Sequence, residues 1–315
     1  MDLCSTLKAT SISTQSTNDK SNEPENALIV YRSKRAKFLS TYCSRQSFSL
    51  PDSYMFYILK HPKNAEMYQK MIKSCKYFFI KNPILVIPCL SYGRDSKEWQ
   101  NLSNVKSDMS NLMSKIWITG KLHINAGKNE ENILSSIISK VYRCDVKVFI
   151  LYDQTILYHD LSRLIGSAEK IRFYRNVLVK NDNGSNVCLE KIVEVALKAK
   201  IISVYPGTIL SSITSKTMKE LLKIPHFSKV KFLSMKKIAE SFDIETFYAY
   251  MKKNKFTKFA LYFDESISNA YKNRLEAINN EILATKMFNY TPPLINFDGL
   301  DVDEYFKLFR ICCSN

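Results

Sequence analysis

Ile171-Arg172-Phe173-Tyr174-Arg175-Asn176 alternates apolar and polar side chains, the period of a strand with one buried face, and ends on an asparagine. Short apolar runs of the same kind recur on both sides of it, centred on residues 116–118, 148–150, 202–204, 230–232, 259–261 and 295–297. Their first members are 23 to 36 residues apart. Between them lie stripes at helical spacing: Ile133/Leu134/Ile137/Ile138/Val141, Leu157/Leu161/Leu164/Ile165, Leu189/Ile192/Val193/Ala196, Met218/Leu221/Leu222, Ile244/Phe247/Tyr248/Met251 and Tyr271/Leu275/Ile278/Ile282.

One strand and one helix thus repeat about every 29 residues, at the upper end of the leucine-rich-repeat range. No single unit can bury its own apolar face, so neighbours must stack, strands side by side in a parallel sheet and helices outside. The expected fold is α/β: a small N-terminal helical module over 47–88, then an irregular leucine-rich-repeat-like solenoid over 115–300. Residues 1–46 are expected as a disordered tail, 89–114 as a linker or loop, and 301–315 as a C-terminal tail. An ordinary doubly wound α/β domain shows the same alternation and stays open as an alternative. The repeat is loose. Where residues 171–176 carry Asn176, the other units carry Asp153, Gly207, Met235 and Asp264, so an asparagine ladder is missing.

The chain has 315 residues and a formal charge of +16, a field that attracts acidic proteins, nucleic acid or anionic lipid. Only seven glycines are present, which argues against phosphate-cradling loops. Eight cysteines are scattered without a Cys-x-x-Cys pair or zinc spacing, in keeping with a reducing compartment. Met1-Asp2-Leu3-Cys4-Ser5-Thr6 does not open a secretory signal pattern, and the longest apolar stretch, residues 77–90, is broken by Lys81, Pro83 and Pro88. A cytoplasmic or nuclear protein with no transmembrane segment is expected. Arg32, Lys34, Arg35 and Lys37 form a short basic cluster of the kind that serves nuclear import.

Chemistry is sparse. His61, His123, His159 and His226 lack the spacing of a metal site, and His159-Asp160 has no accompanying nucleophile motif. Asp298, Asp301, Asp303 and Glu304 lack the ligand order of a calcium loop. No enzyme, metal or cofactor is expected. Cys312-Cys313 near the end has the look of a double-prenylation tail.

The segment before the repeats carries a second signal. Ser49-Leu50-Pro51-Asp52 is a helix entry, with a hydroxyl cap, proline in the first turn and an acid at the positive dipole end. Tyr54, Met55, Ile58 and Leu59 follow at helical spacing, His61-Pro62 breaks the run, and Tyr68/Met71/Ile72/Cys75 form a second stripe. Leu50-Pro51, Ile58-Leu59, Pro62 and Lys76-Tyr77-Phe78 together resemble the F-box. With segments such as Tyr271-Lys272-Asn273-Arg274-Leu275, the chain resembles the nematode group of F-box-like proteins with degenerate leucine-rich or FTH-type C-terminal regions. Phe78 stands where tryptophan is more usual, and Gln69, Lys70 and Lys73 make the second helix unusually polar.

That resemblance implies a substrate-recruiting subunit of a cullin-type (SCF) ubiquitin ligase. Leu50, Pro51, Ile58, Leu59, Met71 and Phe78 would bind a SKP-type adaptor, and the repeats would hold a protein target, acidic if the basic charge serves it. Side chains between and just after the strand apolars should face away from the helices. On that rule Phe149, Arg172, Tyr174, Tyr205, Lys231 and Tyr262 form the target-binding stripe. A basic protein- or nucleic-acid-binding repeat scaffold with no ligase role is the alternative.

Overall fold

The computed structural model describes residues 36–38, 40–41, 48–101, 109, 111–127, 129–205, 213 and 215–314. The chain divides into two compact units, Met1–Tyr57 and Ile58–Asn315. Of the stretch expected as a disordered tail, residues 36–38 and 40 are helical and most of the remainder lies outside the described residues, as do Arg32, Lys34 and Arg35.

Helix α1, Asp52–Lys60, starts in the first unit, where the Pro51 carbonyl accepts hydrogen bonds from the backbone N–H groups of Tyr54 and Met55. In the second unit α2, Ala65–Ser74, is capped by Asn64, whose Oδ1 accepts from the Met67 N–H at 2.8 Å. Helix α3, Lys76–Lys81, is short. Asn82 then ties this region together: its side-chain amide donates to the Leu59 carbonyl at 2.7 Å, and its own carbonyl accepts from the Tyr68 hydroxyl. The buried Tyr68, Ile84 and Trp117 form a small core of their own, joined by Ile72, Val86 and Tyr142.

Strand β1, Ile84–Tyr92, crosses the expected boundary at 88 and occupies the start of the expected linker. Its β-branched run pairs in parallel with β3, Lys115–Asn125, while β2, Trp99–Gln100, folds back antiparallel. Pro88 is tolerated because it sits at a register shift between Ile87 and Cys89. Opposite it only glycine fits, since a Cβ on Gly120 would lie 2.4 Å from the Pro88 carbonyl oxygen.

The chain continues through α4 (Ile133–Ile138), β4 (Val141–Cys144), β5 (Val148–Tyr152), β6 (Thr155–Leu157), α5 (Tyr158–Ile165), β7 (Lys170–Tyr174), β8 (Leu178–Lys180) and α6 (Leu189–Val195). It ends with β9 (Ile201–Val204), α7 (Ser215–Lys223), β10 (Phe232–Ile238), α8 (Ile244–Met251), β11 (Lys258–Phe263), α9 (Asn269–Ala284), β12 (Leu294–Asn296) and α10 (Val302–Ser314). The main sheet runs β12-β11-β10-β9-β7-β5-β3-β1-β2, with β4 beside β3 and β6–β8 as a separate parallel pair. The long parallel strands therefore lie in chain order. A doubly wound sheet reverses its order at a switch point, and this one does not.

Two rows of side chains build the core. Leu122, Phe149, Ile171, Ile202, Leu233 and Phe259 are register neighbours, and so are Ile124, Leu151, Phe173, Val204, Met235 and Leu261. All twelve are buried and belong to one cluster with the inner stripes of the helices, such as Leu161/Leu164/Ile165 and Leu275/Ile278/Ile282. Six of the seven expected strand centres fall on strands. The exception, residues 230–232, meets β10 only at Phe232: Val230 is buried but donates to the Phe227 carbonyl at 3.0 Å, closing a 3-10 turn, Pro225–Lys229. Apolar burial alone mimicked a strand there. Residues 301–315 are no loose tail either, because α10 buries Leu308 and Cys312 on one stripe.

Candidate binding surface

Period two puts the other side chains of the sheet on the face away from the core rows. Two residues past Ile150 and Arg172 stand Tyr152 and Tyr174, which are register partners. The ladder continues to Tyr205, the residue after Val204, then to Lys236, Tyr262 and Asn296. At the other side Asn125 pairs with Tyr152. Strands about 4.8 Å apart hold equivalent rings at stacking distance. Tyr152 and Tyr174 are 4.4 Å apart and 13° from parallel; Tyr174 and Tyr205 are 4.4 Å apart and tilted by 36°. The Lys236 ammonium lies over both neighbouring rings, 4.8 Å from Tyr205 and 4.6 Å from Tyr262, and Arg175 covers Tyr152 at 4.9 Å.

The cations of this face are placed by distinct means. Arg172 donates from Nη1 to the Tyr174 hydroxyl at 3.2 Å, while its buried Nε has no hydrogen-bond partner. Arg175 is held by Asp153 Oδ2 at 2.8 Å and donates to Asn125 Oδ1 at 2.6 Å. Neither Arg172 nor Lys236 has an ion-pair partner among the described residues. Burial raises the Tyr152 and Tyr205 hydroxyls above the usual phenol range, and the neighbouring Tyr174 adds to both. Tyr262 is raised by burial and then by its hydrogen bond with Tyr305 of α10. These hydroxyls are therefore donors at neutral pH. Burial, then Lys121, lowers His123, so its imidazole is neutral there as well.

Asp153, Arg175 and Lys237, each directly after a ladder residue, all have positive φ, 48°, 58° and 59°. After β5 and β7 this left-handed residue turns the chain off the end of the strand, and in β10 it makes the register shift between Lys236 and Ile238. Asp153 takes the part expected of an asparagine, since its Oδ1 accepts from the backbone and side-chain N–H groups of Asn176. Next to it the fully buried Gln154 accepts from the Leu134 N–H at 3.0 Å and donates to the Glu130 carbonyl at 2.8 Å.

Of the six expected stripe residues, Arg172, Tyr174, Tyr205 and Tyr262 lie together and half-buried on this face. Phe149 does not. It is fully buried in the core row beside Ile171, because in β5 the position equivalent to Arg172 is Ile150. Lys231 is also misplaced: it precedes β10, exposed at the opposite end of the strand, and the cation of the ladder is Lys236. Tyr152, Arg175 and Lys236 escaped the sequence reading, although stepping two residues from Ile150 and Ser234 locates two of them.

In the helical region Leu50 is 48% exposed, with Tyr54, Phe56 and Tyr57 at 59–64%. Pro51 is exposed, and Ile58 and Met71 are half-buried. Leu59 and Phe78 are buried inside the protein, Leu59 at 2% exposure, and so are not available to an adaptor as expected. Both sit where α1 and α3 meet the Asn82 hydrogen bonds.

His159 is exposed between two carboxylates, 3.1 Å from Asp182 and 3.4 Å from Asp160. Asp301 Oδ1 accepts from the N–H groups of Asp303 and Glu304, so the acidic cluster caps α10, while Asp298 pairs with Lys272. Among the described residues no group of three or more histidine, cysteine and acidic side chains is placed to hold a metal, and no helix is long and apolar enough to cross a membrane. No family model matches the chain, and no curated protein matches it detectably.

Proposed function

We propose that the chain is a non-enzymatic recruiting subunit of a cullin-type ubiquitin ligase. The helix entry at 50–57 docks a SKP-type adaptor, and stacked strand–helix units, an irregular leucine-rich-repeat-like solenoid, hold the target on the tyrosine face. Two features support the repeat reading: strands in strict chain order, and the same left-handed residue after the ladder in three units.

The observation that carries the recruiting role is the exposure of Leu50, Tyr54, Phe56 and Tyr57 within one short segment. Four large apolar side chains left exposed within one short segment are the kind of surface that a partner covers. With Leu59 and Phe78 buried, adaptor contact falls to Leu50, Pro51 and the exposed aromatics. The test is co-purification with a SKP-type adaptor under reducing conditions. Leu50→Ala with Tyr54→Ala is expected to abolish it without changing the melting temperature. Failure of the wild-type chain to bind the adaptor sinks the ligase role.

A basic binding scaffold with no ligase role is the second reading, favoured by the unpaired Arg172 and Lys236. It predicts capture of an acidic ligand, weakened by salt, in a chain that ignores the adaptor.

A further inference from the structure

We infer that the tyrosine face takes an extended acidic peptide segment, bound by Arg172, Lys236 and the Tyr152 hydroxyl. The inference rests on the target-capture part of the reading above and names the chemistry of the target.

Charge is the first argument. Among the described residues Arg172 and Lys236 stand on one face without carboxylate partners. Asp153 does not neutralise them, because it is buried and committed to Arg175 and Asn176. A guanidinium without a carboxylate partner favours a carboxylate, with which it forms a charge-assisted hydrogen bond. The Tyr152 hydroxyl adds a neutral donor, since burial keeps it protonated and a phenol O–H bonds well to a carboxylate oxygen, whereas the Tyr205 and Tyr262 hydroxyls are engaged with Tyr174 and Tyr305.

Ring geometry decides between peptide and nucleic acid. Single strands bind basic aromatic surfaces by laying bases on exposed ring faces. Here those faces are occupied. Tyr174 is sandwiched between Tyr152 and Tyr205, Arg175 covers Tyr152, and Lys236 fills the gap between Tyr205 and Tyr262. With the ring faces covered, what remains on this face is cations without carboxylate partners among the described residues and the Tyr152 hydroxyl, which suit side-chain carboxylates better than stacked bases. Length fits as well. From β5 to β11 there are four inter-strand gaps, about 19 Å, the span of about six extended residues.

The experiment is fluorescence anisotropy on the full chain with three probes of matched length: a Glu-rich peptide of about eight residues, its Gln-rich counterpart, and oligothymidylate. The Glu-rich peptide is expected to bind, more weakly as salt rises, and the Gln-rich peptide not to bind. Lys236→Met and Arg172→Gln should each weaken binding about tenfold, with Arg172→Lys in between. Melting curves identify any variant that fails to fold; wild-type salt dependence and Lys236→Met then carry the test. Equal binding of the two peptides, preference for oligothymidylate, or indifference to Lys236→Met overturns the inference. The Leu50→Ala/Tyr54→Ala variant should bind the Glu-rich peptide like wild type. A wild-type chain that binds the Glu-rich peptide but not the adaptor therefore refutes the ligase role alone, and one that binds the adaptor but not the peptide refutes this inference alone.

Discussion

Tyr152 and Tyr174 lie ring to ring because they are register partners in adjacent parallel strands, and the 4.4 Å between their centroids is close to the spacing of the strands themselves. The backbone ladder thereby imposes an aromatic one. Each ring packs against its neighbour, so these tyrosines hold the sheet together as well as lining a surface.

The two roles separate at Tyr174. Replacement by alanine removes both ring contacts and should cost about 2 kcal/mol in urea unfolding, since aromatic pairs contribute beyond their buried area. Tyr174→Phe keeps the stack and removes the hydroxyl that bonds Arg172 Nη1 and Tyr205, so it should cost less than the alanine change, about 1 kcal/mol. Equal stability of the alanine variant and the wild type would show that the stack contributes nothing to folding.

Gly120 is required by its neighbour across the sheet. Alanine there would place Cβ 2.4 Å from the Pro88 carbonyl oxygen, a backbone atom that can move only with the strand. Gly120→Ala is expected to destabilise by about 2–3 kcal/mol, measured by chemical denaturation, whereas Gly184→Ala loses only a favourable turn conformation.

Gln154 is buried and uses both ends of its amide, accepting from Leu134 N–H and donating to the Glu130 and Asp153 carbonyls. Leucine of similar size would leave these backbone groups unmet. Gln154→Leu should cost about 2–4 kcal/mol, more than an ordinary surface change. Hydrogen exchange at the Leu134 amide should accelerate with it.

Acid sensitivity has an identifiable contributor in Asp243, the cap of α8. Hydrogen bonds from the Thr246 hydroxyl, then from the Thr246 backbone N–H, hold its carboxyl below the ordinary aspartate range. The folded state thus favours the ionised form. Its contribution is present above about pH 4, the unfolded value, and is lost as pH falls through the lower folded value. Asp243→Asn keeps an acceptor for the cap but cannot titrate, so stability should fall less steeply between about pH 4 and pH 2. An unchanged slope in urea titrations over that range would remove Asp243 from the acid response.

The strand–helix alternation was legible because buried rows at period two and helical stripes are written directly in residue type. Residues 171–174 show both faces at once. What failed was register transfer between units: Phe149 and Arg172 were treated as equivalent, although Phe149 pairs with Ile171. A slip of one residue exchanges the faces of a strand. Lys231 precedes β10 and Lys236 lies within it, because the 3-10 turn Pro225–Lys229 delays the start of the strand to Phe232. Ile84–Tyr92 was hidden for another reason. Its two flanking or internal prolines read as helix breakers, while the register shift that accommodates Pro88 depends on Gly120, far along the chain. In the helical region the spacing marked one apolar stripe but could not say which members another part of the protein would cover, as it does Leu59 and Phe78.

The outermost strands of the main sheet are its shortest, two residues in β2 and three in β12, and Pro292 and Pro293 stand immediately before the latter. Unpaired strand borders are templates on which foreign chains assemble, and brevity and proline are the usual guards against such growth. Removal of the chain from residue 292 onward would uncover the six-residue β11 along its full length, rich in Phe, Leu and Tyr. The short β12 is thus expected to guard that border of the sheet against such growth.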